Sequence, residues 1–263
     1  MHAGVASGRW RQPDVVAAAR ASALLGSLSR DDLALVLGVA QAADHARGSL
    51  VLRESDDDVV VVLRGAAKEH RSNLDGVDVV TALLGPGDTA GLPAALGHPG
   101  AARVTTLEPA TLLVLPGREL RPLVEAHPAV AAACLHAVGA QLGELRDRQV
   151  SFAGTSTRER LVHRLLELAT RWGQQVDDVV MVRLHLTQEE LASWAGVSRE
   201  SAAKVLADLR RTGIVHTGRR ELIVRDLAAL ETRLTPRRHS SPSATALLLG
   251  HLDTTAEETP TSA

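Results

Sequence analysis

The sequence predicts an α+β chain in three parts: a β-roll of jelly-roll type, a long helix, and a winged helix-turn-helix. Three observations carry this. Between His45 and Leu115, short β-branched or leucine-rich runs alternate with Gly, Pro and Asp turn signals. From Ala129 to about Ser151 the chain is rich in Ala, Leu and Val at a three-four spacing. Finally, Leu186 to Thr217 reads LTQEELASWAGVSRESAAKVLADLRRTGIVHT, two helical patterns about a glycine followed by a β-prone run.

At 263 residues the chain is long enough for one large or two small domains with a proper core. A net charge of −2 excludes a basic nucleic-acid coat. The charge is uneven, however: Thr155 to Arg238 holds 15 Lys/Arg against 11 Asp/Glu, a basic tilt that suits one nucleic-acid-reading module. The single cysteine, Cys134, excludes an internal disulfide, a four-cysteine zinc site and a cysteine-ligated iron–sulfur cluster within one chain. A reducing cytoplasm is the expected compartment. No run approaches the roughly 20 apolar residues of a membrane span, and Val15 to Ala19 is too short for a signal-peptide core. With no Tyr, one Phe and three Trp, the chain has no base-stacking platform for single strands.

In chain order, residues 1–20 show no period and read as a flexible arm. Residues 21–126 form a sensor-like roll domain. It opens on a helical pattern over Leu24, Leu25, Leu28, Leu33, Val36 and Leu37, with Ser29 as N-cap and Asp31 and Asp32 in the first turn. Strand runs follow at 48–52, 59–63, 77–84, 104–107 and 111–115, and Leu74-Asp75-Gly76-Val77 supplies a hairpin turn. Asp56-Asp57-Asp58 reads as a solvated acidic turn. Residues 127–153 form a dimerisation helix and hinge. Pro128 opens the helix, and Val130, Cys134, Val138, Gln141 or Leu142, Leu145 and Arg148 mark the expected seam for a second copy over 129–151. Residues 154–235 form the winged module, whose first helix is expected to bury Leu161, Leu165, Leu168 and Ala169 and to expose Arg158, Arg160, Arg164 and Arg171. Residues 236–263, rich in Ser, Thr and Pro, read as a disordered tail.

The winged module is the most informative stretch. Thr187 can cap a helix, with Glu190 three residues on to complete a capping box. Gly196 breaks that helix, and Ser198 caps the next. The second helix buries Ala202, Val205, Leu206 and Leu209 and turns Arg199, Glu200, Lys204, Arg210 and Arg211 outward. Gly213 stops it, and two β-prone runs then flank Thr217-Gly218-Arg219-Arg220, a wing whose tip would lie beside a phosphate backbone. A helix presented in this way is suited to the major groove of double-stranded DNA.

Roll, long helix, hinge and winged helix, in that order, resemble the Crp/Fnr family over roughly residues 22 to 230. The resemblance is carried by Leu186-Thr187-Gln188-Glu189-Glu190-Leu191-Ala192, by Gly196-Val197-Ser198-Arg199-Glu200-Ser201, and by Val205-Leu206 through Leu209 to Gly213. Arg47-Gly48, Val62-Leu63-Arg64-Gly65 and Leu83-Leu84-Gly85-Pro86-Gly87-Asp88 are similar to the family's barrel turns. It implies a cyclic-nucleotide-binding-like roll on a homodimeric transcription regulator that reads a near-palindromic operator, with RNA polymerase a further partner and the nucleoid its site of action. Arg199 would then pair with a guanine, Glu200 would accept from a cytosine amino group, and Lys204 would stand where the family often has Arg. Thr187, Gln188, Ser198 and Ser201 would set register on phosphates, and Arg219 and Arg220 would touch the backbone from the wing.

The roll departs from the pattern. Nucleotide-binding members hold the ribose with a Gly-Glu-Leu turn and the cyclic phosphate with an Arg-Ser pair. Here the turn is Gly91-Leu92-Pro93, and the Arg-Ser position falls on Gly100-Ala101, leaving Arg103 as the basic residue that a shifted register would offer. A cyclic-AMP switch is therefore not expected. The effector is unknown and no cofactor is called for. The alternative is a sensor or protein-interaction module with accessory DNA binding. An enzyme finds no support: the chain has no Gly-rich phosphate loop, no activated Ser or Cys with a placed base, and no i,i+4 pairing among its scattered histidines.

Overall fold

The computed structural model describes residues 13–98, 102–152, 154–218 and 221–234. Helices α1 (Pro13–Ala19) and α2 (Arg30–Val39) lead into strands β1 (Gln41–His45), β2 (Leu50–Leu52), β3 (Val59–Arg64), β4 (Ala67–Ser72), β5 (Asp78–Leu84) and β6 (Thr89–Ala90). The short helix α3 (Leu92–Ala95) precedes β7 (Arg103–Thr106) and β8 (Ala110–Leu115), and α4 (Gly117–Ala126) precedes the long α5 (Pro128–Phe152). The last part runs α6 (Thr157–Trp172), β9 (Gly173–Val176), β10 (Val179–Val182), α7 (Gln188–Trp194), α8 (Arg199–Arg211), β11 (Val215–Gly218), β12 (Glu221–Val224) and α9 (Leu227–Thr232).

Two antiparallel sheets, ordered β1-β8-β3-β6 and β2-β7-β4-β5, face each other as the roll. Leu52, Val60, Val62, Ala67, Leu84, Val104 and Leu112 fill the space between them. Burial on both faces explains why β3 reads as a continuous Val-Val-Val-Val-Leu run rather than an alternating one. Its second face, with Leu113 and Leu115 of β8, is covered by α2, α4 and the first half of α5. The outer face of the other sheet contributes Ala66, Val80, Leu83 and Leu107 to a core shared with the winged module. In that module a third sheet, ordered β11-β12-β10-β9, closes over α6 and α8.

Several expectations hold at residue level. Ser29 caps α2 by accepting from Asp32 N–H at 3.1 Å, and Gly76 takes φ 76° in the β4–β5 hairpin. Others need correction. The arm is helical over α1, where Ala19 is fully buried, because Val15, Val16 and Ala19 find the helices over β3. The acidic turn is only partly solvated: Asp57 pairs with Arg121, and burial, with Asp57 beside it, pushes the Asp58 carboxyl up. Arg164 is buried rather than outward, because Trp194 and Glu167 receive its guanidinium. The hairpin partner β9 also lay outside the strand reading, since Gly-Gln-Gln-Val carries no strand signature. Residues 236–263 lie outside the described residues.

The expected dimer seam divides between two stripes of α5. Val130 and Cys134 are buried against α2, α4 and the roll, Gln141 donates to the Thr89 carbonyl at 2.8 Å, and Arg148 donates to the Thr81 carbonyl at 2.8 Å. That stripe is occupied within the chain. The other stripe, Val138, Leu142 and Leu145 of the expected seam together with Leu135, runs at the three-four-three spacing of a coiled-coil seam; Val138 is half-buried against the roll's core, while Leu135 is 74%, Leu142 45% and Leu145 57% exposed. The Ala-rich first half of α5 is apolar on more than one side, and periodicity alone does not choose between its stripes. Among the described residues no single helix is long and apolar enough to cross a membrane.

Candidate nucleic-acid interface and effector cavity

Helix α7 is started by the capping box read from sequence. The Thr187 hydroxyl accepts from Glu190 N–H at 3.1 Å, and the Glu190 carboxylate accepts from Thr187 N–H at 2.7 Å. Burial pushes the Glu190 carboxyl up, but hydrogen bonds from Lys68, Thr187 N–H and the Thr187 side chain outweigh it and hold the group below its ordinary range. Gly196 turns the chain at φ 62°, a left-handed value that suits glycine. Ser198 then caps α8, its hydroxyl accepting from Ser201 N–H at 3.1 Å. The two helices close over Ala192, Trp194, Ala202, Leu206 and Leu209.

The outward face of α8 is open. Thr187, Gln188, Ser198, Arg199, Glu200 and Lys204 are exposed, and Ser201 is half-buried. They lie at the start of α7 and along the first turns of α8. Glu200 and Lys204 pair with each other at 2.8 Å while 78% and 76% exposed. Such an i,i+4 pair is worth only about 0.3–0.5 kcal/mol, so both side chains are free to exchange it for a base edge. Arg219 and Arg220 lie outside the described residues.

Some supports were not legible in advance. Arg210 donates to the Thr217 hydroxyl at 3.0 Å and ties the end of α8 to the wing. Asp208 receives Arg158 and Arg211, each at 2.6 Å, and these hydrogen bonds hold its carboxyl below the usual range. Arg160 reaches the Gly196 carbonyl at 3.4 Å, joining α6 to the turn between the reading helices. In sequence these arginines look like a solvated basic face.

The roll residues carried over as effector contacts do not converge. Gly91 sits at φ 84°, and an added Cβ would lie 2.2 Å from the Asp58 carbonyl oxygen, so the turn itself requires glycine. Leu92, fully buried, points into the core beneath α4 and α5. Arg103 is engaged at the far end of β7, where it pairs with Asp78, donates to the Ser72 hydroxyl at 2.9 Å and lies 3.6 Å from Glu54. Gly100 and Ala101 lie outside the described residues. A cavity of about 170 Å³ opens elsewhere, between β5, α5 and α6, lined among others by Glu69, Thr81, Gln141, Glu144, Arg148 and Arg171. Among the described residues no group of His, Cys, Asp and Glu could hold a metal ion.

Comparison with known proteins agrees with this layout. Residues 44–127 match the model of a cyclic nucleotide-binding domain, and residues 159–233 match that of a Crp-like helix-turn-helix domain. A CRP-like cAMP-activated global transcriptional regulator of Mycobacterium tuberculosis is 27% identical over 197 residues, 73% of this chain and 88% of that protein. The cyclic AMP receptor protein of Thermus thermophilus is 29% identical over 217 residues, 81% of this chain and 96% of that protein. Among solved structures, a CRP-family transcriptional regulator from Thermus thermophilus superposes with a TM-score of 0.62 at 25% identity, over 73% of this chain and 96% of that one.

Proposed function

This chain belongs to the Crp/Fnr family of DNA-binding transcription regulators, and from that premise we propose that it acts as a homodimer on a near-palindromic operator without control by cyclic AMP. The observation that carries the reading is the open face of α8, where Arg199, Glu200 and Lys204 stand exposed beside the capped start of α7. Arg199 has the fork to pair with guanine O6 and N7, Glu200 accepts from a cytosine amino group, and Lys204 offers a point charge to guanine. Thr187, Gln188, Ser198 and Ser201 contact phosphates and set the register, with Arg219 and Arg220 of the wing as further backbone contacts. Two modules joined through the exposed Leu135–Leu145 stripe of α5 would address successive major grooves about 34–36 Å apart.

Independence from cyclic AMP rests on the turn at Gly91. Leu92 offers no carboxylate to a ribose hydroxyl and is sealed in the core, while Arg103 already has Asp78 as its partner. RNA polymerase is the further partner proposed for an activating role. The test is selection of bound sequences from random double-stranded DNA, run with and without cyclic nucleotides. A two-fold-symmetric site recovered equally in both arms is the expected result. Recovery only with cyclic AMP would overturn the independence, and recovery of no site in either arm would overturn the DNA-reading function.

A further inference from the structure

Strand β5 lies at the edge of its sheet, where backbone groups have no neighbouring strand to bond. Here the edge is occupied by side chains from three other elements. The Val80 N–H donates to the Ser193 hydroxyl of α7 at 2.9 Å. The Thr81 carbonyl accepts from Arg148 of α5 at 2.8 Å, and the Leu83 carbonyl accepts from Arg171 of α6 at 3.4 Å. A bulge makes this possible. Glu69 pairs with Ala82 and His70 with Val80, so Thr81 is left unpaired, and the parity change turns both Val80 and Leu83 toward the winged module.

Beside that edge, Lys68 of β4 pairs with Glu190, with only 18% and 21% of their side chains exposed. Glu190 is also half of the capping box that starts α7. Arg171 pairs with Asp88, and Trp172 packs on Gly85. The winged module is thus held on the roll through its first reading helix, while the exposed side chains of Thr187, Gln188, Ser198, Arg199, Glu200 and Lys204 remain open.

We infer that Lys68 and Ser193 are positioning residues for DNA reading: they fix the reading module on the edge of β5 in an orientation that already presents α8. The inference rests on the proposed DNA-reading function. A module fixed in this way enters the second half-site as an intramolecular event at high effective concentration, whereas a loosened one loses that advantage. Binding to a single half-site needs no fixed orientation between modules. Loss of the contacts should therefore weaken the full operator and spare the half-site.

The experiment uses the full-length protein with Lys68→Met and Ser193→Ala, alone and together, and Lys68→Arg as the charge-conserving control. Binding is measured by fluorescence anisotropy on a selected operator and on the same DNA with one half-site scrambled. The full-site to half-site affinity ratio is expected to fall about tenfold in the double variant, with half-site affinity within about twofold and Lys68→Arg near wild type. Amide exchange supplies the second readout: Ser193→Ala should speed exchange at Val80, whose N–H has Ser193 as its acceptor. An unchanged ratio, an equal loss on both DNAs, or rapid Val80 exchange already in the wild type would overturn the inference. If neither DNA bound, the DNA-reading function would fail by itself, and Val80 exchange would still decide whether the module is held.

Discussion

The Arg164 guanidinium lies over the Trp194 ring, 4.5 Å from its centroid, and donates to Glu167 at 2.6 Å. The pair joins α6 to α7 inside the winged module, where Arg164 is only 9% exposed. Removing it leaves Glu167 the longer contact to Arg171 at 3.6 Å and strips one face of the indole. Arg164→Ala is expected to lower stability by about 1–3 kcal/mol, measured by chemical denaturation. Arg164→Met should recover part of that loss by restoring contact with the ring. If Arg164→Ala were neutral, the cation–ring contact would be idle.

At the interface, Arg199→Ala should weaken operator binding by about 1–3 kcal/mol and relax the preference at one base pair in each half-site. Gln188→Ala should instead weaken all sequences alike and reduce the salt dependence of binding. Gel shifts on an operator panel with single base changes separate the two. Equal discrimination by wild type and Arg199→Ala would remove this residue from base reading.

How far these features were legible follows from the range over which each is encoded. The reading helices were legible because caps, turn glycine and apolar spacing all lie between Thr187 and Gly213. Strand β3 was legible from its unbroken Val-Leu run. The exposed stripe of α5 was legible only in part: the spacing picks out Val138, Leu142 and Leu145 together with the covered Val130 and Cys134, because which side of an Ala-rich helix is covered depends on α2, α4 and the roll. Arg164 went unread as a buried group for the same reason: its burial is set by Trp194, on another helix. Lys68 and Glu190 are 122 residues apart, and no local pattern announces their pairing. Within the roll, the sequence revealed the missing carboxylate at Leu92, but that Arg103 is engaged by Asp78 required the fold.

Acidification tests the roll itself. Burial, with Lys68 and Arg103 nearby, lowers the His70 pKa from 6.5, against a weaker opposing pull from Asp78; His45 is lowered by burial as well. The unfolded chain therefore takes up protons below pH 6.5 that the native roll refuses. Stability from these groups is fully present above 6.5 and is lost as pH falls toward their native values. Tm is expected to drop between pH 7.5 and 5.5, and His70→Gln, which can keep the contact with Thr105, should flatten that drop. An identical pH profile in the variant would show that His70 carries none of it.

The two stripes of α5 give a decisive pair of substitutions. Leu142 is 45% exposed in the protomer and sits on the open three-four-three seam, so Leu142→Glu should change protomer stability by no more than about 0.5 kcal/mol. It should nevertheless convert a dimer to monomers in sedimentation, since a charge at a seam position would be buried without a partner. Val130 is 1% exposed on the opposite stripe, and Val130→Asp should unfold the roll rather than yield a folded monomer. The monomeric Leu142→Glu protein should keep half-site binding and lose the gain from a second half-site. If it sedimented as a dimer, the association of two copies would have to run through another surface.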